Sequence, residues 1–144
     1  MPIKRILFPT DLSHLSDGGL PLATTIARDR GAELLILHVQ EPPAATGEWY
    51  YGLLDPDTEA LNQVLDKVKP ADPKVPYAHR LVTGKPASEI VRVAEQEGVE
   101  MIVMSTHGRT GLSRVLMGSV AEAVVRRAPC PVVTFKSNAL KAID

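Results

Sequence analysis

The segment Ser105-Thr106-His107-Gly108-Arg109-Thr110-Gly111-Leu112-Ser113-Arg114-Val115-Leu116-Met117-Gly118-Ser119 carries residue types and spacings suited to binding an anion. It leaves an apolar run, passes two glycines, and meets a helical pattern at Gly118-Ser119. A helix start offers unpaired backbone N–H groups and the positive end of the helix dipole to one volume. Glycines let the main chain come close to a phosphate. The dipole alone supplies only ~0.3–1 kcal/mol, whereas charge-assisted hydrogen bonds supply about 1.5–3 kcal/mol each. A plainer reading uses the same residues: Ser119-Val120-Ala121-Glu122 is a capping box, with Ser at the cap and Glu three residues on. Capping and phosphate binding compete for the same amides.

Other candidates divide in the same way. Asp11, just after Pro9-Thr10, either caps a helix or offers its carboxylate to a ligand. His107 either donates to a phosphate or serves the turn it sits in, and Arg109 and Arg114 either screen phosphate charge or stay solvated. His14, His38 and His79 show no metal-ligand spacing. Cys130, between two prolines, reads as a small apolar plug at a strand start, with no neighbouring base to make it a reactive thiolate. Trp49-Tyr50-Tyr51 falls in an expected loop, where it either marks a partner surface or folds back over the sheet edge or a pocket.

These residues need a scaffold, and the hydrophobic pattern predicts one. Ile6-Leu7-Phe8, closed by Pro9, reads as a strand; a helix follows over 16–30, stopped by Gly31. Continuous apolar runs over 34–39 and 101–104 read as strands buried on both faces. Between them come a loop over 41–53, a weaker helix over 54–69 ended by Pro70, a strand over 77–82, and a helix from Pro86 to Gly98. A helix over 119–127 and a strand over 132–135 complete the alternation. The expected class is α/β: a doubly wound, five-stranded parallel sheet with helices on both faces. Ligands in such folds lie beyond the carboxyl ends of the strands, which selects the segments 9–13, 39–40 and 105–119.

Length and composition bound the function. A chain of 144 residues is expected to form one domain over 1–144. Sixteen basic against seventeen acidic side chains leave a net charge of −1, without a long block of one sign, so no nucleic-acid cradle is expected. One cysteine makes no internal disulfide. No apolar stretch approaches the ~20 residues that span a bilayer. The first residues turn polar at Thr10-Asp11, too soon for a secretory signal. The expectation is a cytoplasmic protein with neither nucleic-acid nor membrane partners.

Common phosphate and hydrolase motifs are missing: no Gly-x-Gly-x-x-Gly follows a strand, Gly84-Lys85 lacks the rest of a P-loop, and no Gly-x-Ser-x-Gly elbow exists. The opening Ile6-Leu7-Phe8-Pro9-Thr10-Asp11-Leu12-Ser13, the strand ending in His38-Val39, Thr106-His107-Gly108-Arg109-Thr110-Gly111-Leu112, Met117-Gly118-Ser119-Val120-Ala121-Glu122 and Ala128-Pro129-Cys130-Pro131-Val132 together resemble the universal stress protein family. The resemblance runs over essentially the whole chain in the right order. The nucleotide-binding branch of that family carries a glycine, two residues, a glycine, nine residues, a glycine, then Ser or Thr. Gly108, Gly118 and Ser119 match its last three elements, and Ser105 stands where the first glycine would be.

The resemblance implies a bound ATP-like nucleotide, with or without Mg. Pro9, Thr10 and Asp11 would line the adenosine end, and Val39 would hold the adenine edge through its backbone. Ser105, His107 and Gly108 would face ribose and phosphates, while Gly118, Ser119 and Val120 would close on the phosphates. Serine at 105 costs roughly 1–2 kcal/mol if its backbone needs positive φ, and little if only smallness is required. Binding is expected to survive. The resemblance also implies homodimers paired through Val132, Val133, Thr134 and Phe135, in keeping with the open edge such a strand presents.

The function expected is an adenine-nucleotide-binding module of stress response or signalling, with an unidentified protein partner. A non-binding interaction protein of the same fold and a slow ATPase are the alternatives. Hydrolysis needs a positioned water, a base and charge neutralisation. Asp11 is the one acidic candidate in the selected loops, and no arginine finger or Walker-type lysine accompanies it, so catalysis is not expected.

Overall fold

The structure, a computed structural model, describes residues 2–12, 18–42, 50–106 and 118–136, the side chains of 50–57 excepted. The apolar runs become β1 (Arg5–Pro9), β2 (Glu33–Gln40), β3 (Tyr77–Thr83), β4 (Met101–Ser105) and β5 (Val132–Phe135). They pair in parallel in the order β3-β2-β1-β4-β5. The helices between them are α1 (Leu20–Arg30), α2 (Tyr50–Asp66), α3 (Pro86–Glu97) and α4 (Ser119–Arg127). This is the expected doubly wound α/β sheet.

Alternation of side chains across a strand divides the core into two layers. Ile6, Phe8, Leu34 and Ile36 face Ala23 and Ala27 of α1 and Leu65 of α2. Leu7, Leu35, Leu37 and Ile102 face Ile90 and Val93 of α3 and Ala121 and Val124 of α4. Both faces of the sheet are therefore covered, which is why its strands read as unbroken apolar runs. Each fully buried Leu, Ile, Val or Phe side chain contributes roughly 1.5–3 kcal/mol.

Gly31 and Gly98 end α1 and α3 at φ 66 and 62, returning their N–H groups to the last turn of each helix. Only glycine takes that left-handed position without strain. Three boundaries differ from the sequence expectation. In the described residues α1 begins at Leu20 rather than 16, with Pro21 in its first turn, the place where a missing N–H costs nothing. The expected loop over 41–53 ends early, because α2 starts at Tyr50 and incorporates Gly52; an interior glycine costs about 1 kcal/mol without forbidding a helix. At its other end α2 stops at Asp66, short of 69, where Lys67 and Val68 tighten into i−3 bonds to Val64 and Leu65.

The chain winds outward from β1 through β2 to β3, then crosses back to β4 and on to β5. The winding direction thus reverses between β1 and β4. Their carboxyl ends are left uncovered by any crossover, and a crevice opens there.

Candidate functional site

A crevice of about 680 Å³ lies at the carboxyl ends of β1, β2 and β4. Of the residues named from the sequence, Pro9, Thr10, Asp11, Val39, Ser105, Gly118, Ser119 and Val120 line it. His107 and Gly108 lie outside the described residues, as do Arg109, Arg114 and Trp49. Among the described residues no side chain fills this space.

At its sheet end, register explains why Val39 is available. Leu37 C=O accepts Thr10 N–H at 2.8 Å, so in this part of β2 the odd-numbered residues turn their backbone toward β1. Gln40 C=O accepts Gly84 N–H at 3.0 Å, so the even-numbered residues turn theirs toward β3. The β1–β2 pairing stops at Pro9 and Leu37. Val39 comes next in the odd phase, and its N–H and C=O point past the end of β1 into the crevice, with no strand partner among the described residues. One residue thus presents a donor and an acceptor side by side.

Among the described residues, three hydrogen bonds shape the turn after β1. Thr10 N–H goes to Leu37, Leu12 N–H donates to Thr10 Oγ1 at 3.0 Å, and His38 Nδ1 lies 2.8 Å from the Thr10 carbonyl oxygen. Leu12 sits at φ 67, a left-handed conformation rare for a branched side chain. Asp11, between the two, is half-buried at the crevice wall.

The other end is built from Thr106 and α4. Thr106 N–H and Oγ1–H both donate to Phe135 C=O, at 2.9 and 3.2 Å. Gly118 N–H returns to Thr106 C=O at 2.6 Å, joining the two ends of the 107–117 segment. Gly118 is extended (φ −69, ψ 161) and forms the N-cap of α4, with no side-chain cap bond. The capping box, the plainer of the two readings of this segment, is therefore not made. Gly118 takes the half-in position, so Ser119 is already helical and its hydroxyl is not used on the first turn. Gly118 N–H is spent and Glu122 N–H bonds Gly118 C=O, leaving the amides of Ser119, Val120 and Ala121 as first-turn donors without a partner among the described residues. Ser105 closes β4 in extended backbone opposite Phe135, so the serine carries no left-handed strain.

Residues that sequence reasoning missed complete the walls. Ala60, Leu61 and Val64 of α2 form an apolar side, with Val64 exposed at 45%. Gln40, buried, accepts a hydrogen bond from Thr58 Oγ1 at 3.2 Å, tying α2 to the end of β2. The signal for α2 was its helical spacing of Leu61 and Val64, which could not say which face met the sheet and which met a pocket. His38 gave no signal beyond its place on an apolar strand. Away from the crevice, Cys130 packs half-buried against the core of the α3–α4 face, and burial followed by the charge of Glu100 pushes its thiol up. That environment suits the apolar plug the sequence suggested. Among the described residues no three His, Cys, Asp or Glu side chains are grouped to hold a metal, and no helix is long and apolar enough to cross a membrane.

The family model of the universal stress protein family matches residues 2–136. The chain is 37% identical over 139 residues to universal stress protein MJ0531 of Methanocaldococcus jannaschii, a match spanning 92% of this chain and 82% of that protein. The solved structure of MJ0577 from the same organism superposes with a TM-score of 0.78 at 32% identity, covering 94% of this chain and 97% of that one. A universal stress protein solved in complex with cAMP superposes with a TM-score of 0.69 at 26% identity, covering 95% and 99%.

Proposed function

The chain belongs to the universal stress protein family, and on that premise we propose that its crevice binds an adenine nucleotide, ATP in particular, as a module of stress response or signalling. The observation that carries this reading is the facing of two backbone sites across one crevice: the Val39 N–H and C=O at one end, the Ser119, Val120 and Ala121 amides at the other. Adenine offers an acceptor at N1 and a donor at its 6-amino group, which complement Val39 N–H and C=O. Guanine reverses both at the same two places, so a fixed register discriminates against it. Asp11 reaches the ribose or base, and Ala60, Leu61 and Val64 supply an apolar wall for the ring. The phosphates meet the α4 amides and the positive end of its dipole. Mg bound to a triphosphate would neutralise charge that these amides leave over. The relative in complex with cAMP supports an adenine ligand in this fold. The same reading carries a cytoplasmic homodimer paired through β5.

Isothermal titration with ATP, AMP, cAMP and GTP, with and without Mg, tests the reading. At least one adenylate should bind with a Kd tighter than about 1 mM, and GTP should bind more weakly. Ser119→Pro makes the test specific. Proline suits the first helical position, and Gly118 at ψ 161 already has the conformation that precedes proline. The variant keeps α4 and deletes one amide donor, so ATP affinity should fall about tenfold or more, while Ser119→Ala changes it less. No heat with any adenylate, or equal affinity in Ser119→Pro, sinks the assignment.

A further inference from the structure

Among the described residues Val39 N–H has no acceptor, because a neighbouring one has turned away. In a parallel ladder whose previous rung joins Thr10 N–H to Leu37 C=O, the Thr10 carbonyl is the next acceptor due, and Val39 N–H its donor. That bond is not made among the described residues. His38, on the same strand and only 6% exposed, places Nδ1 2.8 Å from the Thr10 oxygen instead. A carbonyl only accepts, so Nδ1 carries the proton. Resting on the adenylate reading of this crevice, we propose that His38 is a positioning residue that draws the Thr10 carbonyl out of the β1–β2 ladder and so opens Val39 N–H to the ligand.

The shape of the turn agrees with this role. Leu12 takes a left-handed conformation, and its N–H folds back to Thr10 Oγ1 rather than running on beside β2. Such a conformation persists only where its surroundings hold it. Among the described residues a buried imidazole from the adjacent strand does so, bonded to the residue on which the turn closes. Asp11 stands between the two fixed residues and faces the crevice. His38 therefore acts on the ligand through Thr10, setting both the vacancy at Val39 and the presentation of Asp11.

Three substitutions separate this from general support of the core. Asn sets its side-chain amide nitrogen where His Nδ1 stands, Gln carries its nitrogen out toward the Nε2 position, and Leu fills space without a donor. Amide hydrogen exchange of the ligand-free protein should show Val39 protected about tenfold or more in His38→Leu and His38→Gln, because the Thr10 carbonyl returns to it. His38→Asn should exchange like the wild type. AMP affinity should fall about tenfold in His38→Leu and His38→Gln and stay close to the wild type in His38→Asn. Should His38→Leu fail to fold, the Asn and Gln pair carries the test alone. Equal Val39 exchange in the wild type, Asn and Gln proteins overturns the role of His38, whatever binds. A wild-type protein that takes no adenylate instead overturns the functional reading, while the exchange pattern still decides the positioning role.

Discussion

The ring of Phe135 occupies the place that a Cβ on Gly19 would need. Gly19 has an ordinary backbone (φ −86, ψ −7), so glycine is required there for closeness and not for conformational freedom. Phe135 also closes β5, and its carbonyl receives both Thr106 bonds at the α4 end of the crevice. The turn into α1, the last strand and Thr106 at the end of β4 are thus packed through one residue. Gly19→Ala forces the ring aside and should cost about 1–3 kcal/mol, the usual range for overpacking. Denaturant unfolding reads that loss, and the Thr106 amide resonance should shift with it. An unchanged midpoint with an unmoved Thr106 signal would mean that the ring yields freely.

What could be read from the sequence, and what could not, divides by range of interaction. Ile6-Leu7-Phe8 and 34–39 announced buried strands because burial on both faces leaves no polar alternation, and Gly31 and Gly98 announced helix ends through their backbone freedom. The winding rule and the resemblance pointed to the segments 9–13, 39–40 and 105–119, and not to the α2 wall of Ala60, Leu61 and Val64. Ser119 left two readings open, because Ser-x-x-Glu also describes a cap, a place that Gly118, one residue earlier, takes. Gly52 misled because a breaker's cost of about 1 kcal/mol is smaller than what tertiary packing can offset. The bond from His38 to Thr10 spans 28 residues, and the Gln40–Thr58 bond spans 18. No local spacing rule connects residues so far apart.

Ser105 provides a direct test of the departure from the family pattern. Its backbone is extended, so the glycine of the pattern would relieve no strain here. Ser105→Gly should leave ATP affinity within about threefold and lower stability by about 0.5–1 kcal/mol, the entropic cost of glycine in a strand. Calorimetric titration and thermal unfolding of the two proteins check both halves. A tenfold gain in affinity would show that ligand binding drives this residue to positive φ.

Cys130 sets a prediction in alkaline solution. Burial, then the nearby Glu100 charge, raises the thiol above its ordinary range, so the folded state favours the neutral form more than the unfolded state does. The stability this represents is fully present below the unfolded thiol's titration and is lost as pH rises through the folded one. Urea midpoints should therefore decline above the normal cysteine range in the wild type and less so in Cys130→Ala. Alkylation by iodoacetamide near neutral pH should be slower than for a free thiol. Faster alkylation would contradict the assignment of Cys130 as a packed, unreactive group.

The proposed dimer can be tested at one backbone atom. β5 is an outer strand of the sheet, and its Val132, Val133 and Thr134 are half-buried. Ile102 N–H donates to Pro131 C=O and Thr106 N–H to Phe135 C=O, so the odd-numbered residues of β5 turn their backbone to β4. Val132 and Thr134 turn theirs outward, where a second copy would pair. Proline is tolerated on an outer strand when the lost N–H faces away from the sheet, and extended Val133 can precede it. Thr134→Pro should therefore keep the fold by circular dichroism while removing a donor that only the partner strand uses. Light scattering at micromolar concentration should give a dimer mass for the wild type and a monomer mass for the variant. A monomeric wild type, or a variant that stays dimeric, would place the contact elsewhere or nowhere.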